Sequence, residues 1–309
     1  MKEYAIETTD SISAILDAVV SINTQISDDA LSADLLGAER SGHGVVIRED
    51  GLILTIGYLV IDADRIWIGT DGDTAVPGHV IACDFESGLG LVKPSMPVNL
   101  PSVEPGSAAS LEINEPVFVL GSGGIDETIE ARVIGKQEFA GRWEYLLEDA
   151  VYTSPAHTSW AGAALLNGRG RLCGIGSLLV QIPDAEASAN LFVPVDCIES
   201  SIDDLCRYGR RNTPPLPWLG MLIHDEENLQ VAAVYGGCPA EQAGLEPGDI
   251  IIAVDGVEAE SLADFYRKLR ACGPAGTRVA LTVERSGELI VITVISADRN
   301  AFLKKDTIN

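Results

Sequence analysis

Short apolar runs broken by Gly, Asp and Pro set the rhythm of this chain from Gly42 onward. Gly44–Ile47 is apolar, Glu49-Asp50-Gly51 turns the chain, and Leu52–Thr55 is apolar again, the signature of a β-hairpin. The same pattern predicts strands at Arg65–Gly69, Val76–Cys83, Leu89–Lys93, Val117–Leu120, Thr128–Ile134, Trp143–Glu148, Ala163–Leu166, Arg171–Val180 and Leu191–Val195. Strands at such regular spacing predict barrels or a sandwich. Ahead of them, Ser11–Val20 reads as a helix and the stretch up to residue 30 as polar linker. Asp196 is placed to cap a helix running to Tyr208, with Ile198, Ile202, Leu205 and Cys206 at helical spacing.

Residues 209–217, with paired prolines and local basic charge, interrupt the pattern and mark a domain boundary. Beyond it, strands are predicted at Leu219–Ile223, Leu229–Tyr235, Asp249–Val254, Arg278–Arg285 and Leu289–Ser296, with helices at Pro239–Ala243 and Leu262–Ala271. The organisation read from the pattern is a domain over residues 1–208, a linker over 209–217 and a second domain over 218–300. There is no internal repeat and no low-complexity segment.

Composition narrows the function classes. A length of 309 residues suits two ordinary domains. A net charge of −25 disfavours a phosphate-binding groove, so no nucleic-acid partner is expected. The acidity serves solubility, with selection of basic partners as the lesser reading. The first residues, MKEYAIETTDSISAILDAVVSIN, are acidic where an export signal is basic, and nowhere do apolar residues run long enough for a spanning helix. Cys83, Cys173, Cys197, Cys206, Cys238 and Cys272 are scattered without CxxC spacing and read as reduced core thiols. A cytoplasmic location is therefore expected, or a periplasmic one if a leader has been removed. His43, His79, His157 and His224 show no HxH or HExxH spacing, so neither metal nor cofactor is expected.

The stretch Cys238-Pro-Ala-Glu-Gln-Ala-Gly-Leu-Glu-Pro-Gly-Asp-Ile-Ile-Ile-Ala-Val-Asp-Gly256 resembles the central signature of bacterial-type PDZ domains, "SPAxxAGLxxGDxIxxVNG". Pro239 suits a first helical position, Gly244 a left-handed helix end, and Asp255-Gly256 a tight turn out of a buried strand. Upstream, Trp218-Leu219-Gly220-Met221 resembles the carboxylate-binding loop of these domains. The resemblance implies that backbone N–H groups of Leu219, Gly220 and Met221 hold a peptide carboxylate. The peptide would then lie along Met221, Leu222 and Ile223, with Phe265 and Leu269 on the opposite wall.

The first domain resembles the HtrA (Deg) proteases. Ser41-Gly-His-Gly-Val-Val-Ile-Arg-Glu-Asp-Gly-Leu-Ile-Leu-Thr55 is similar to "GSGVIISxDGxILT", and Asp84-Phe-Glu-Ser-Gly-Leu-Gly-Leu-Val-Lys93 to "DPxSDLAVLK". Ala163-Ala-Leu-Leu-Asn-Gly-Arg-Gly-Arg-Leu-Cys-Gly-Ile175 resembles "GPLLNxxGxVIGI", and Leu191-Phe-Val-Pro-Val-Asp196 resembles "FAIPxD". The implied fold is mostly β: a trypsin-like double six-stranded β-barrel followed by a PDZ domain. The implied activity is that of a serine endopeptidase, and a homotrimer is the implied assembly.

The chemistry departs from the family pattern. Tyr58 stands in the histidine position, Gly88 in the aspartate position and Ala161 in the nucleophile position. A phenol titrating near ~10 is a poor base at neutral pH, and Gly88 and Ala161 carry no functional group. Ser159 and Trp160 replace the residues that shape the oxyanion loop. The resulting expectation is a pseudoprotease, not an enzyme, that works as adaptor, scaffold or regulator through PDZ-bound peptide or protein C-termini. The alternatives are an atypical serine endopeptidase, which a serine-reactive phosphonate would label, and a holdase-type chaperone using the cleft around Tyr58 and Trp160. A displaced triad from His157, Thr158 and Ser159 with His43 or His79 is disfavoured, because adjacent residues on one loop rarely converge. Gly121-Ser-Gly-Gly124 and Gly168-Arg-Gly-Arg171 read as turns. Loops 137–142 and 181–190 are expected beside the cleft.

Overall fold

The structure, a computed structural model, describes residues 9–70, 74–141, 145–182, 187–225 and 227–304. Among the sequence expectations, Trp143, Arg142 and part of the 181–190 loop fall outside the described residues.

Strands β1 (Val19–Ile26), β2 (Glu39–Val46), β3 (Ile53–Ile56), β4 (Ala63–Gly69), β5 (Ala75–Asp84) and β6 (Leu89–Pro94) close into a barrel in the order β1-β2-β3-β6-β5-β4. Strands β7 (Pro116–Leu120), β8 (Thr128–Ala140), β9 (Leu146–Ser154), β10 (Ala164–Leu166), β11 (Leu172–Gln181) and β12 (Ser188–Pro194) close a second barrel in the order β10-β11-β12-β9-β8-β7. Closure removes the unpaired strand edges that an open sheet exposes. Ile22, Ile53, Ile56, Ile68, Leu89 and Leu91 are fully buried strand residues of the first barrel. Val117, Val119, Leu165, Cys173 and Phe192 belong to the core cluster of the second. Burying a ring such as that of Phe192 stabilises the fold by ~2–3 kcal/mol before the cost of ordering it.

The N-terminal reading needs correction. Helix α1 (Thr9–Asp17) ends early, and the stretch read as polar linker is β1. Its buried residues Val20, Ile22, Thr24 and Ile26 alternate with more exposed ones, which is period-two strand patterning. The polar inward member, Thr24, is accommodated because its hydroxyl donates to the Leu59 carbonyl at 2.7 Å. Short helices α2 (Ala33–Leu36) and α3 (Gly57–Val60) follow β1 and β3. The helix predicted from Asp196 is two pieces, α4 (Asp196–Glu199) and α5 (Ile202–Tyr208). Asp196 does not cap it; its carboxylate accepts from the Ala108 N–H at 2.8 Å instead. Gly209 ends α5 in the left-handed conformation, at φ 69°.

The remaining elements are β13 (Met221–His224), β14 (Gln230–Val234), α6 (Pro239–Gln242), β15 (Ile250–Val254), β16 (Val257–Glu258), α7 (Leu262–Ala271), β17 (Arg278–Arg285) and β18 (Glu288–Ile295). They form a sheet ordered β13-β14-β15-β17-β18, with β16 paired to β15 and β13 at one edge. Contacts divide the chain into two compact units: residues 1–137, 147–212 and 304–309 in one, and residues 138–146 and 213–303 in the other. All six cysteines are free thiols, but only Cys173 and Cys238 are buried and Cys206 is exposed, so the set is not confined to the core.

Candidate functional site

Positions 58, 88 and 161 come together in one contiguous region of the double-barrel unit. The Gly57 N–H, at the start of α3, donates to the Gly88 carbonyl at 2.7 Å. A Cβ on Gly57 would lie 2.8 Å from that oxygen, so the close approach needs glycine. Strand β2 in turn lies against the 159–163 loop: the His43 N–H donates to the Ala161 carbonyl at 2.8 Å. Gly162 sits at φ 78°, where a Cβ would be 1.9 Å from the His43 carbonyl oxygen. The backbone of this region is therefore tightly fitted. Its side chains are chemically spare: the Tyr58 hydroxyl donates to the Ser177 carbonyl at 2.7 Å, Gly88 offers no side chain, and Ala161 offers a methyl group.

The functional groups of the region lie beside those three positions. A cavity of about 390 Å³ is lined by Asn23, Ser41, His43, Ser122, Ser159 and Trp160 among others. Nδ1 of His43 accepts the Ser122 N–H at 3.0 Å and lies 2.9 Å from the Ser122 hydroxyl oxygen. Burial pushes the His43 imidazole below its ordinary 6.5, and neighbouring His157 adds to this, while Glu127 and a hydrogen bond to the Ser159 backbone pull upward. His157 is also buried. It accepts the Ser159 N–H on Nδ1 at 3.0 Å, and its Nε2 is 3.2 Å from the Glu127 carbonyl and 3.7 Å from the Glu127 carboxylate. The Ser159 amide thus points at a ring nitrogen. His157 and Ser159 meet through backbone, not through the hydroxyl. His79 lies near Ser95 on the surface, at 3.3 Å. Among the described residues no group of three His, Cys, Asp or Glu side chains is placed to hold a metal ion.

The sequence reading missed the Ser122–His43 pair. The two residues are 79 positions apart, and the glycine-rich turn that carries Ser122 gave no sign of what it faces. Only closure of the barrels brings them together.

In the second unit, Gly220 occupies φ 78°, and a Cβ there would be 2.4 Å from the Cys238 Cβ, so the 218–221 turn requires glycine. Leu219 and Gly220 are anchored by their carbonyls, which accept from Ala240 N–H at 2.7 Å and Tyr235 N–H at 3.0 Å. Met221, Leu222 and Ile223 follow on edge strand β13. Leu219, Met221, Ile223, Phe265 and Leu269 all belong to one buried cluster, against which Ala140 and Leu146 also pack. The Tyr266 hydroxyl on α7 donates to the Gly141 carbonyl at 3.1 Å. Helix α7 is capped by Ser261, whose hydroxyl accepts from the Asp264 N–H at 3.1 Å. The Asp249 carboxylate, 1% exposed, is gripped by Arg285 through two contacts of 2.6 and 2.7 Å. That pairing holds the Asp249 carboxyl below its ordinary value.

Comparison with known proteins agrees with this architecture. The trypsin-like peptidase domain family matches residues 42–175, and the PDZ domain family matches residues 230–285. A probable periplasmic DegP-like serine endoprotease of Hahella chejuensis is 25% identical over 274 residues, covering 83% of this chain and 57% of its own length. The corresponding protein of Chlamydia muridarum is 28% identical over 271 residues, covering 82% and 53%. The chain thus spans little more than half the length of these relatives. The chloroplastic Protease Do-like 1 of Arabidopsis thaliana is 25% identical over 298 residues, covering 88% and 67%. Among solved structures, the HtrA-type protease AlgW with tripeptide superposes with a TM-score of 0.55 at 19% identity, over 98% of each chain. The Yersinia pestis serine endoprotease gives 0.54 at 22% identity, over 94% of this chain and 99% of that one.

Two expectations are overturned by these relatives. The chain was expected not to be an enzyme, yet the proteins it matches are described as serine endoproteases. Side chains at three positions do not exhaust the chemistry that a cleft can hold. It was also expected in the cytoplasm, yet the bacterial relatives are described as periplasmic. The composition of one N-terminal stretch does not determine compartment. With two closed six-stranded barrels, a peptidase-domain match and a PDZ match following it in that order, the chain has the domain architecture of the HtrA/Deg family and is similar to its members.

Proposed function

We propose that this chain handles peptides in two places. Its PDZ unit captures an extended peptide by strand addition along β13, and its double-barrel unit acts on peptides as an atypical serine endopeptidase in a periplasmic setting. The observation that carries the first activity is the Gly220 turn, at φ 78°, leading into β13 at the edge of its sheet, the kind of strand to which an extended peptide adds. A fold neighbour is described with a tripeptide, and the captured ligand here is a peptide with a free C-terminal carboxylate.

The second activity is supported by relatives described as serine endoproteases and by a serine hydroxyl held on an imidazole inside the cleft. Tyr58, Gly88 and Ala161 cannot supply nucleophile, base and orienting carboxylate, so the reaction draws on other side chains of the same cleft.

The purified chain tests both parts against peptides with free or amidated C-termini, with casein as cleavage substrate. Peptide capture should weaken about tenfold or more on amidation; equal affinity for both forms would discard the carboxylate reading. Slow cleavage that survives repurification and stops with a serine-reactive phosphonate is the expected outcome for the barrels. Cleavage no faster than buffer would discard the peptidase reading.

A further inference from the structure

We propose that Ser122 and His43 are a nucleophile–base pair for acyl transfer, set in the barrel cleft beside the Ser159–Ala161 loop. The peptide substrate assigned to the pair rests on the endopeptidase reading above; the pair itself rests on geometry.

The Ser122 hydroxyl oxygen is 2.9 Å from His43 Nδ1. Because Nδ1 also accepts the Ser122 N–H, that nitrogen carries no proton and the hydroxyl can meet it only as donor. The neutral ring's proton therefore sits on Nε2. On the adjoining loop the Ser159 N–H donates to His157 Nδ1, which leaves the His157 proton on Nε2, facing the Glu127 carbonyl at 3.2 Å. The Glu127 carboxylate stands 3.7 Å from the same nitrogen. Glu127 already acts on His43 by charge, favouring the imidazolium. Gly121 leaves room for the ring, since a Cβ there would stand 3.2 Å from both Cε1 and Nε2. Both partners line the same open cavity.

The reaction balances without a cofactor. The Ser122 oxygen bonds to the substrate carbonyl carbon as its proton passes to His43 Nδ1. The imidazolium returns that proton to the leaving amine as the C–N bond breaks. Water then repeats the cycle on the acyl-serine, releasing the acid and restoring the hydroxyl. His157 and Glu127 are positioning residues, since they touch neither substrate nor the reacting atoms.

The test is labelling of the full chain with a fluorophosphonate, followed by mass mapping, alongside casein cleavage. The expected adduct is on Ser122. It is absent in Ser122→Ala, and forms about 100-fold more slowly in His43→Gln. Glu127→Gln should move the pH profile of labelling to lower pH while leaving the labelled site unchanged, because the Glu127 charge favours the imidazolium; an unmoved profile would overturn His43 as the base. Ser122→Ala retains the backbone N–H contact, so its melting curve serves as the control for folding. An adduct on Ser159, or none on folded protein, overturns the pair. Cleavage that survives Ser122→Ala also overturns it while leaving the endopeptidase reading intact. Labelling of Ser122 without any cleavage sustains the pair and removes the peptide as its substrate.

Discussion

The barrel cleft and the PDZ turn are built by the same device, a glycine packed against a neighbouring backbone or Cβ, yet they differ in what the device is used for. At Gly220 the proposed function makes the backbone itself the recognition element, so that a preserved turn would preserve the function. At Gly162 the equally tight backbone frames side chains, and nearby Tyr58 offers a hydrogen-bonded phenol and Ala161 a methyl group. Side chains can be exchanged within such a frame, whereas recognition by backbone would be inseparable from it. The Ser122–His43 pair lies within that same frame.

The comparison breaks hardest at Gly162. Gly162→Ala combines a positive φ with a Cβ 1.9 Å from the His43 carbonyl, and should cost about 3 kcal/mol or more. Differential scanning calorimetry should show the barrel transition lowered or lost while the PDZ transition stays. At Gly220, alanine meets a positive φ and the Cys238 Cβ at 2.4 Å. It should weaken peptide capture at least about tenfold, read by fluorescence anisotropy, without changing phosphonate labelling; a matched loss of labelling would show that the two sites are not independent.

A third and smaller effect belongs to the PDZ unit alone. The folded-state pKa of Asp249 lies below its ordinary 3.8, so its contribution to stability is complete above that value and is lost as pH falls through the folded pKa. Acidification should lower the PDZ melting temperature by a few degrees, and Arg285→Ala should flatten that response. The smallest effect is Tyr58→Phe, which removes the hydrogen bond to the Ser177 carbonyl and should cost about 1 kcal/mol. If the phenol had a chemical role, labelling would fall as well; unchanged labelling assigns Tyr58 to the frame.

Turn and strand chemistry made most of the fold legible. The predicted hairpin at 44–55 became β2 and β3, and the helix over Leu262–Ala271 has the residues of α7. The failures share a cause. The stretch Val19–Ile26 reads as polar because its outward residues are polar, and only barrel closure shows that the alternate residues point inward. Asp196 has the composition of a helix cap, but a partner 88 residues away takes its carboxylate. A pairing of His157 with the Ser159 hydroxyl was disfavoured from the sequence, and the folded loop presents the Ser159 amide to that ring.

By itself, the sequence determined a β-rich chain of short strands and turns, and its motifs, through their resemblance to known domains, the double barrel and the PDZ module, because turn residues, strand periodicity and residue identity are local properties. Tertiary structure alone decided which imidazole meets which hydroxyl. His43 and Ser122 are 79 residues apart, on β2 of one barrel and on the turn after β7 of the other. No spacing rule links them, and a hydrogen bond of 2.9 Å exists only once both barrels have closed and packed.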